Sequence, residues 1–153
     1  HFKEKVMTLF GIVRLPGQKI FTEIKNKNKD LRFSAETALE VYKEIYNNMP
    51  SEKKKKYIYE NENWYKLYSK YRDIPMIYNS NKDYLLCRDM FFATLSLIVL
   101  YFLCFIFDVF EFDLKCLQLF ILLLIINFIN AINKSKRLVY NVIAYDISKN
   151  TAD

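Results

Sequence analysis

The chain has 153 residues, with 23 lysines and arginines against 17 aspartates and glutamates, for a net charge of +6. It holds one histidine, two glycines and three cysteines. His1 alone cannot supply a metal cluster, and Gly11 and Gly17 are too few to build a phosphate-cradling loop. No serine sits in a nucleophile elbow. No enzyme activity, cofactor or metal site is therefore expected.

Residues 1–33 carry the weakest pattern. Val6–Val13 is a short apolar stretch interrupted by Gly11, and Pro16-Gly17 marks a turn. Ile20, Phe21 and Ile24 have the spacing of one helical turn, with an apolar face suited to a membrane surface. Lys25–Lys29 reads as a solvated linker. The opening apolar stretch is too short for a secretory signal, and a chain that opens on His1 rather than Met leaves room for residues upstream.

Residues 34–89 are expected to form a small helical module. Ser34 is suited to cap a helix in which Ala35, Ala38, Leu39, Tyr42, Ile45, Tyr46 and Met49 share one face. Asn47-Asn48 and Pro50 end it. Ser51 then opens a second helix, about Glu52 to Arg72, with a stripe of Tyr57, Ile58, Trp64, Tyr65, Tyr68 and Tyr71, so that the two make an αα-hairpin. Glu60 and Glu62 read as a solvated face, since residues two apart point away from each other on a helix. Asp73–Ser80 contains Pro75 and is expected to be extended or turning. A third helix should start near Asn81 and run on through Arg88.

Two apolar runs follow. Met90–Phe107 has 18 residues without a charge, and Cys116–Ile132 has 17. A bilayer core ~30 Å thick needs roughly 17–25 apolar residues in a helix, and a spanning backbone must satisfy its own polar groups. The expected fold class is all-α: an integral membrane two-helix transmembrane hairpin over residues 90–132, with the helical module at 34–89 and a helical tail at 133–153. Leu138, Val139, Val142, Ile143 and Tyr145 continue the second helix beyond the span. Cys87, Cys104 and Cys116 fit no metal spacing and read as small packing residues.

Charge sets the expected orientation. Residues 1–89 carry a net +6, the tail +2 and the turn between the runs −2, from Asp108, Glu111 and Asp113 against Lys115. Lysine and arginine concentrate on the cytoplasmic side. Both termini are expected to be cytoplasmic and the turn outside, in a bacterial inner membrane.

Two sets of residues carry functional expectations. Gln118, Asn127, Asn130 and Asn133 place amides in or beside the second apolar run. Such amides bond across helices, at ~0.6–2 kcal/mol each, so they either fasten the hairpin or form an oligomer or lumen stripe. Lys53, Lys54, Lys55 and Lys56, with Trp64 and Tyr65 on the same helix and Lys134, Lys136 and Arg137 after the second run, are the candidate partner or lipid contacts. The partners implied are the lipid bilayer, further copies of the chain and a cytoplasmic protein or nucleic-acid-containing complex. No small-molecule substrate is indicated.

The two-span architecture resembles that of small bacterial membrane proteins, including membrane-acting accessory proteins of anti-phage defence systems. The resemblance implies an oligomer that permeabilises or depolarises a membrane when triggered. The competing class is a membrane anchor or adaptor that recruits a partner.

Orientation is tested by fusion. A reporter active only in the periplasm should work when fused at Glu111 and fail at Asn150; the opposite pattern would put the basic segments outside.

Overall fold

A computed structural model describes residues 15–28, 30–109 and 111–151. The stretch Val6–Val13 lies outside the described residues. Among them there are six helices and no strand: α1 (Ile20–Lys27), α2 (Ala35–Val41), α3 (Lys43–Asn47), α4 (Lys53–Tyr71), α5 (Pro75–Ile106) and α6 (Leu114–Asn150). The described residues up to Ser80, together with those from Lys136 onward, form one compact unit; Asn81–Ser135 form another. The division falls at 80/81 and 135/136.

In the first unit, α1 is short and its apolar face is covered by protein. Ile20, Phe21 and Ile24, expected on a membrane surface, are buried instead. Lys19, in the left-handed region at φ 70°, offers no side-chain cap. The cap comes from α4. Glu60 is fully buried, and its carboxylate accepts the Thr22 backbone N–H at 3.1 Å and the Thr22 hydroxyl. A helix N-terminus has free N–H groups and a partial positive charge, and a carboxylate satisfies both. Glu60 is therefore not part of a solvated face, whereas Glu62 is exposed.

Asn61 and Trp64 hold the preceding turn. The Gly17 N–H donates to Asn61 Oδ1 at 3.2 Å. A Cβ on Gly17 would stand 2.6 Å from Trp64 Cβ and 2.8 Å from two ring atoms. The buried face of α4 thus runs through Glu60, Trp64 and Tyr71, while Ile58 and Tyr65, seven residues apart and one step round the helix, are exposed.

Ser34 caps α2, its hydroxyl accepting the Thr37 N–H at 3.0 Å. The single helix expected over 35–49 is two, broken at Tyr42, which is buried and makes an edge contact with Phe21 at 5.2 Å. Ser51 does not cap α4, whose N-cap position is Glu52 with no side-chain bond. The extended segment expected over 73–80 is helical from Pro75 on. Proline suits the first position of a helix, where its missing N–H has no partner to lose, and the Ile77 and Tyr78 N–H groups both bond Ile74 O.

The second unit holds most of the hairpin. Both long helices are apolar and long enough to cross a membrane; α5 has 32 residues and α6 has 37. Only 17 % and 6 % of their most apolar stretches are buried inside the protein, so neither is a covered core helix. The end of α5 is built as a Schellman turn: Asp108 takes φ 53°, the Val109 N–H bonds Cys104 O and the Asp108 N–H bonds Phe105 O. Asp113 starts α6 by accepting the Lys115 N–H at 2.8 Å. Tyr101 pins the two ends: its hydroxyl donates to Asp113 O and accepts the Asp113 N–H. The three cysteines are free thiols.

The tight contact at Gly17 makes it a test of the first unit. Gly17→Ala should lower stability by about 1–3 kcal/mol, because the methyl group meets the indole rather than a flexible side-chain end. The thermal midpoint of the purified full chain reports it. A raised midpoint, as for a Gly→Ala change at an open site, would show that the turn does not pack on Trp64.

Candidate functional site

The four amides expected to act together are divided. Asn127 faces the other helix of the hairpin, and its Nδ2 donates to Thr94 Oγ1 at 2.9 Å; Thr94 in turn donates to Met90 O. Gln118, Asn130 and Asn133 are exposed, and none makes a hydrogen bond within the described residues. At 100° per residue these three fall within an arc of about 120°, with Asn127 turned a further ~60° toward Thr94. Beside them Lys134 pairs with Asp83 at 2.7 Å.

The candidate contact residues also separate. Lys53, Lys54 and Lys55 are exposed in the first turn of α4, with Lys55 paired to Glu52 at 2.7 Å; Lys56 is half-buried. Cations there oppose the helix dipole, so they gain nothing from their own helix. Tyr65 is exposed, but Trp64 is 4 % exposed and stacks on Tyr68 at 5.5 Å. Trp64 is a core residue, not a contact surface. Lys136 and Arg137 are exposed.

Three polar residues whose role the sequence reading missed, Glu60, Asp146 and Asn141, organise the first unit. Asp146 on α6 is 2 % exposed and accepts the Tyr42 hydroxyl on Oδ2 and the Tyr71 hydroxyl on Oδ1, both at 2.8 Å. It has no ion pair among the described residues. Above the Tyr71 ring stand Lys70 Nζ at 4.8 Å and Lys149 Nζ at 5.9 Å. Asp146 lines a cleft of about 440 Å³ with Val41, Ile45, Leu67 and Lys70. Asn141, also buried, bridges from Ser80 Oγ to the Arg32 guanidinium, at 2.7 Å each.

Arg32 belongs to a tightly built loop. Asn28 bonds the Asp30 N–H, Asp30 O and Phe33 O, and Asp30 takes a forked pair of bonds from Arg32. The Arg32 guanidinium holds the Asp30 carboxyl below its ordinary pKa. Leu31, at the tip, is 102 % exposed. A second cleft of about 590 Å³ opens here, lined by Leu31, Arg32, Met76, Arg137 and Tyr140. The Tyr140 hydroxyl is buried without a partner.

A pattern signal existed for two of the missed residues. Asp146 continues the apolar stripe of Val139, Val142 and Ile143, and Glu60 stands one turn before Trp64. A lone acid on a buried stripe is a buried acid. Among the described residues no group of acids, histidines and cysteines could hold a metal ion.

No protein-family model, curated protein or solved structure matches this chain.

The Asp146 cluster has an alkaline limit. Burial first, and then the Asp146 carboxylate, hold the Tyr42 phenol well above its ordinary pKa. A pKa raised on folding means stability that is complete below the unfolded value, about 10, and lost as pH rises above it. The melting temperature of the wild type should therefore fall more steeply between about pH 10 and 11.5 than that of Tyr42→Phe. Parallel curves would show that Tyr42 does not titrate against folding.

Proposed function

We propose that the chain is a non-enzymatic integral membrane protein of the bacterial inner membrane. Its hairpin crosses the bilayer with both termini in the cytoplasm. Several copies assemble into a channel-like or membrane-perturbing body gated by the cytoplasmic helical unit, in keeping with the architecture of anti-phage defence accessories.

The observation that supports assembly is the state of the exposed amides. Gln118 and Asn130 lie within the apolar run, are exposed and have no partner among the described residues. An amide facing hydrocarbon without a hydrogen bond is unfavourable. A second copy, or water held between copies, supplies the partner. Asn127 has its partner already in Thr94, so it serves the hairpin of one subunit rather than a lumen.

A second reading, an adaptor that recruits a cytoplasmic partner, draws on the exposed Lys53, Lys54 and Lys55 and on exposed Tyr65, about 15 Å further along the same helix. Cations and an aromatic exposed along one helix suit an anionic protein or nucleic-acid surface.

Substitution by leucine separates the roles, since leucine suits lipid and leaves insertion intact. Asn130→Leu should reduce the assembly size or change conductance. Asn127→Leu should leave assembly size unchanged and weaken the hairpin by about 1 kcal/mol. Native mass measurement of the three proteins decides. A monomeric wild type would remove the channel reading and favour the adaptor.

A further inference from the structure

The cleft beside Leu31 has more donors than acceptors. Asp30, its carboxylate, is occupied by Arg32 and the backbone. Arg32 is fixed from two sides, through Nε and one terminal nitrogen by Asp30 and through the other by Asn141 Oδ1. A guanidinium has five N–H groups, so Arg32 keeps spare donors in a set orientation. Arg137 is exposed and makes no ion pair among the described residues. The Tyr140 hydroxyl has no partner among the described residues but is closed off from solvent, so it adds no donor to the open cleft. Glu23, the other carboxylate whose charge reaches Tyr140, is solvent-exposed.

Donors of this kind suit the oxygens of a phosphate. The rim is apolar: Leu31 is 102 % exposed and Met76 is 40 % exposed. A leucine held fully in water by an ordered loop is the shape of a side chain that enters an apolar surface. Position on α6 adds the setting. Arg137 stands five residues beyond Ile132, where the apolar run ends. That is about 7.5 Å along the helix, and the headgroup layer is roughly 5–8 Å deep.

We infer that the cleft between Asp30–Arg32 and α6 holds the phosphate of an anionic phospholipid headgroup. Arg137 and the spare Arg32 donors take the phosphate oxygens. Leu31 lies against the apolar part of the same lipid. The inference rests on the membrane reading above and names the lipid that this face of the protein selects.

The test uses the full chain in neutral detergent, with native mass spectrometry counting bound lipid after addition of phosphatidylglycerol or phosphatidylcholine at equal concentration. The wild type should prefer phosphatidylglycerol about fivefold, the ratio that one well-placed cation gives. Arg137→Gln and Leu31→Ser alter exposed side chains, so both should fold; Arg137→Gln should bring the ratio to within about twofold, whereas Leu31→Ser should keep the ratio and reduce the amount of both lipids bound. Lys136→Gln, next in the chain but outside the cleft, should keep the preference. Equal loss in Lys136→Gln would mean diffuse charge attraction and overturn the site, as would a wild-type ratio in Arg137→Gln or unchanged binding of both lipids in Leu31→Ser. Displacement of the lipid by millimolar inorganic phosphate would make this a soluble-anion site and overturn the lipid assignment. A chain that stays monodisperse without detergent would instead undo the membrane reading itself.

Discussion

Asp146 is the group on which the first unit closes. A carboxylate removed from water is strongly unfavourable unless hydrogen bonds replace the water. Here the replacements come from two separate elements: Tyr42, at the break between α2 and α3, and Tyr71, the last residue of α4. Neither tyrosine carries a charge, so each bond is needed; removing one leaves an oxygen buried and unsatisfied, at about 1–3 kcal/mol. Through these bonds the C-terminal part of α6 fixes where α2 and α4 end. Glu60 repeats the device two turns into α4, where it caps α1.

The second unit obeys a different constraint. Its helices satisfy their own backbone groups, and the few remaining polar groups are placed with care. The free groups at the hairpin turn are taken up by the Asp108 Schellman bonds, by Asp113 and by Tyr101. Thr94 and Asn127 bond each other, with Thr94 also reaching back to its own helix. Against this background the unpaired amides of Gln118 and Asn130 stand out, since their helix offers them nothing.

The long apolar helices, the Ser34 cap and the continuation of α6 past Asn133 were legible in the chain, because length, capping chemistry and period are local signals. The start of α5 was misread. Proline disfavours a helix before it but suits the first turn of one, and only the Ile74 carbonyl's partners distinguish the two. Glu60 was misread because its partner, Thr22, lies 38 residues away. Sequence adjacency groups Trp64 with Tyr65 as one contact surface, yet neighbours on a helix diverge by 100°, so one is buried against Gly17 while the other faces out. The division of the amides turned on Thr94, a threonine on the other helix that no spacing within α6 reveals.

The first unit is discontinuous: Tyr42 and Tyr71 precede the hairpin and Asp146 follows it. During synthesis, α1 to α4 leave the ribosome long before the residue that completes their packing. Glu60 can cap α1 early, but Tyr42 and Tyr71 have no acceptor until both apolar helices have been made and the chain has passed Asp146. Closure of this unit therefore reports that the hairpin has been synthesised in full. A chain stopped between the two long helices retains an open face of aromatic side chains, the kind of surface that quality-control proteases and chaperones bind.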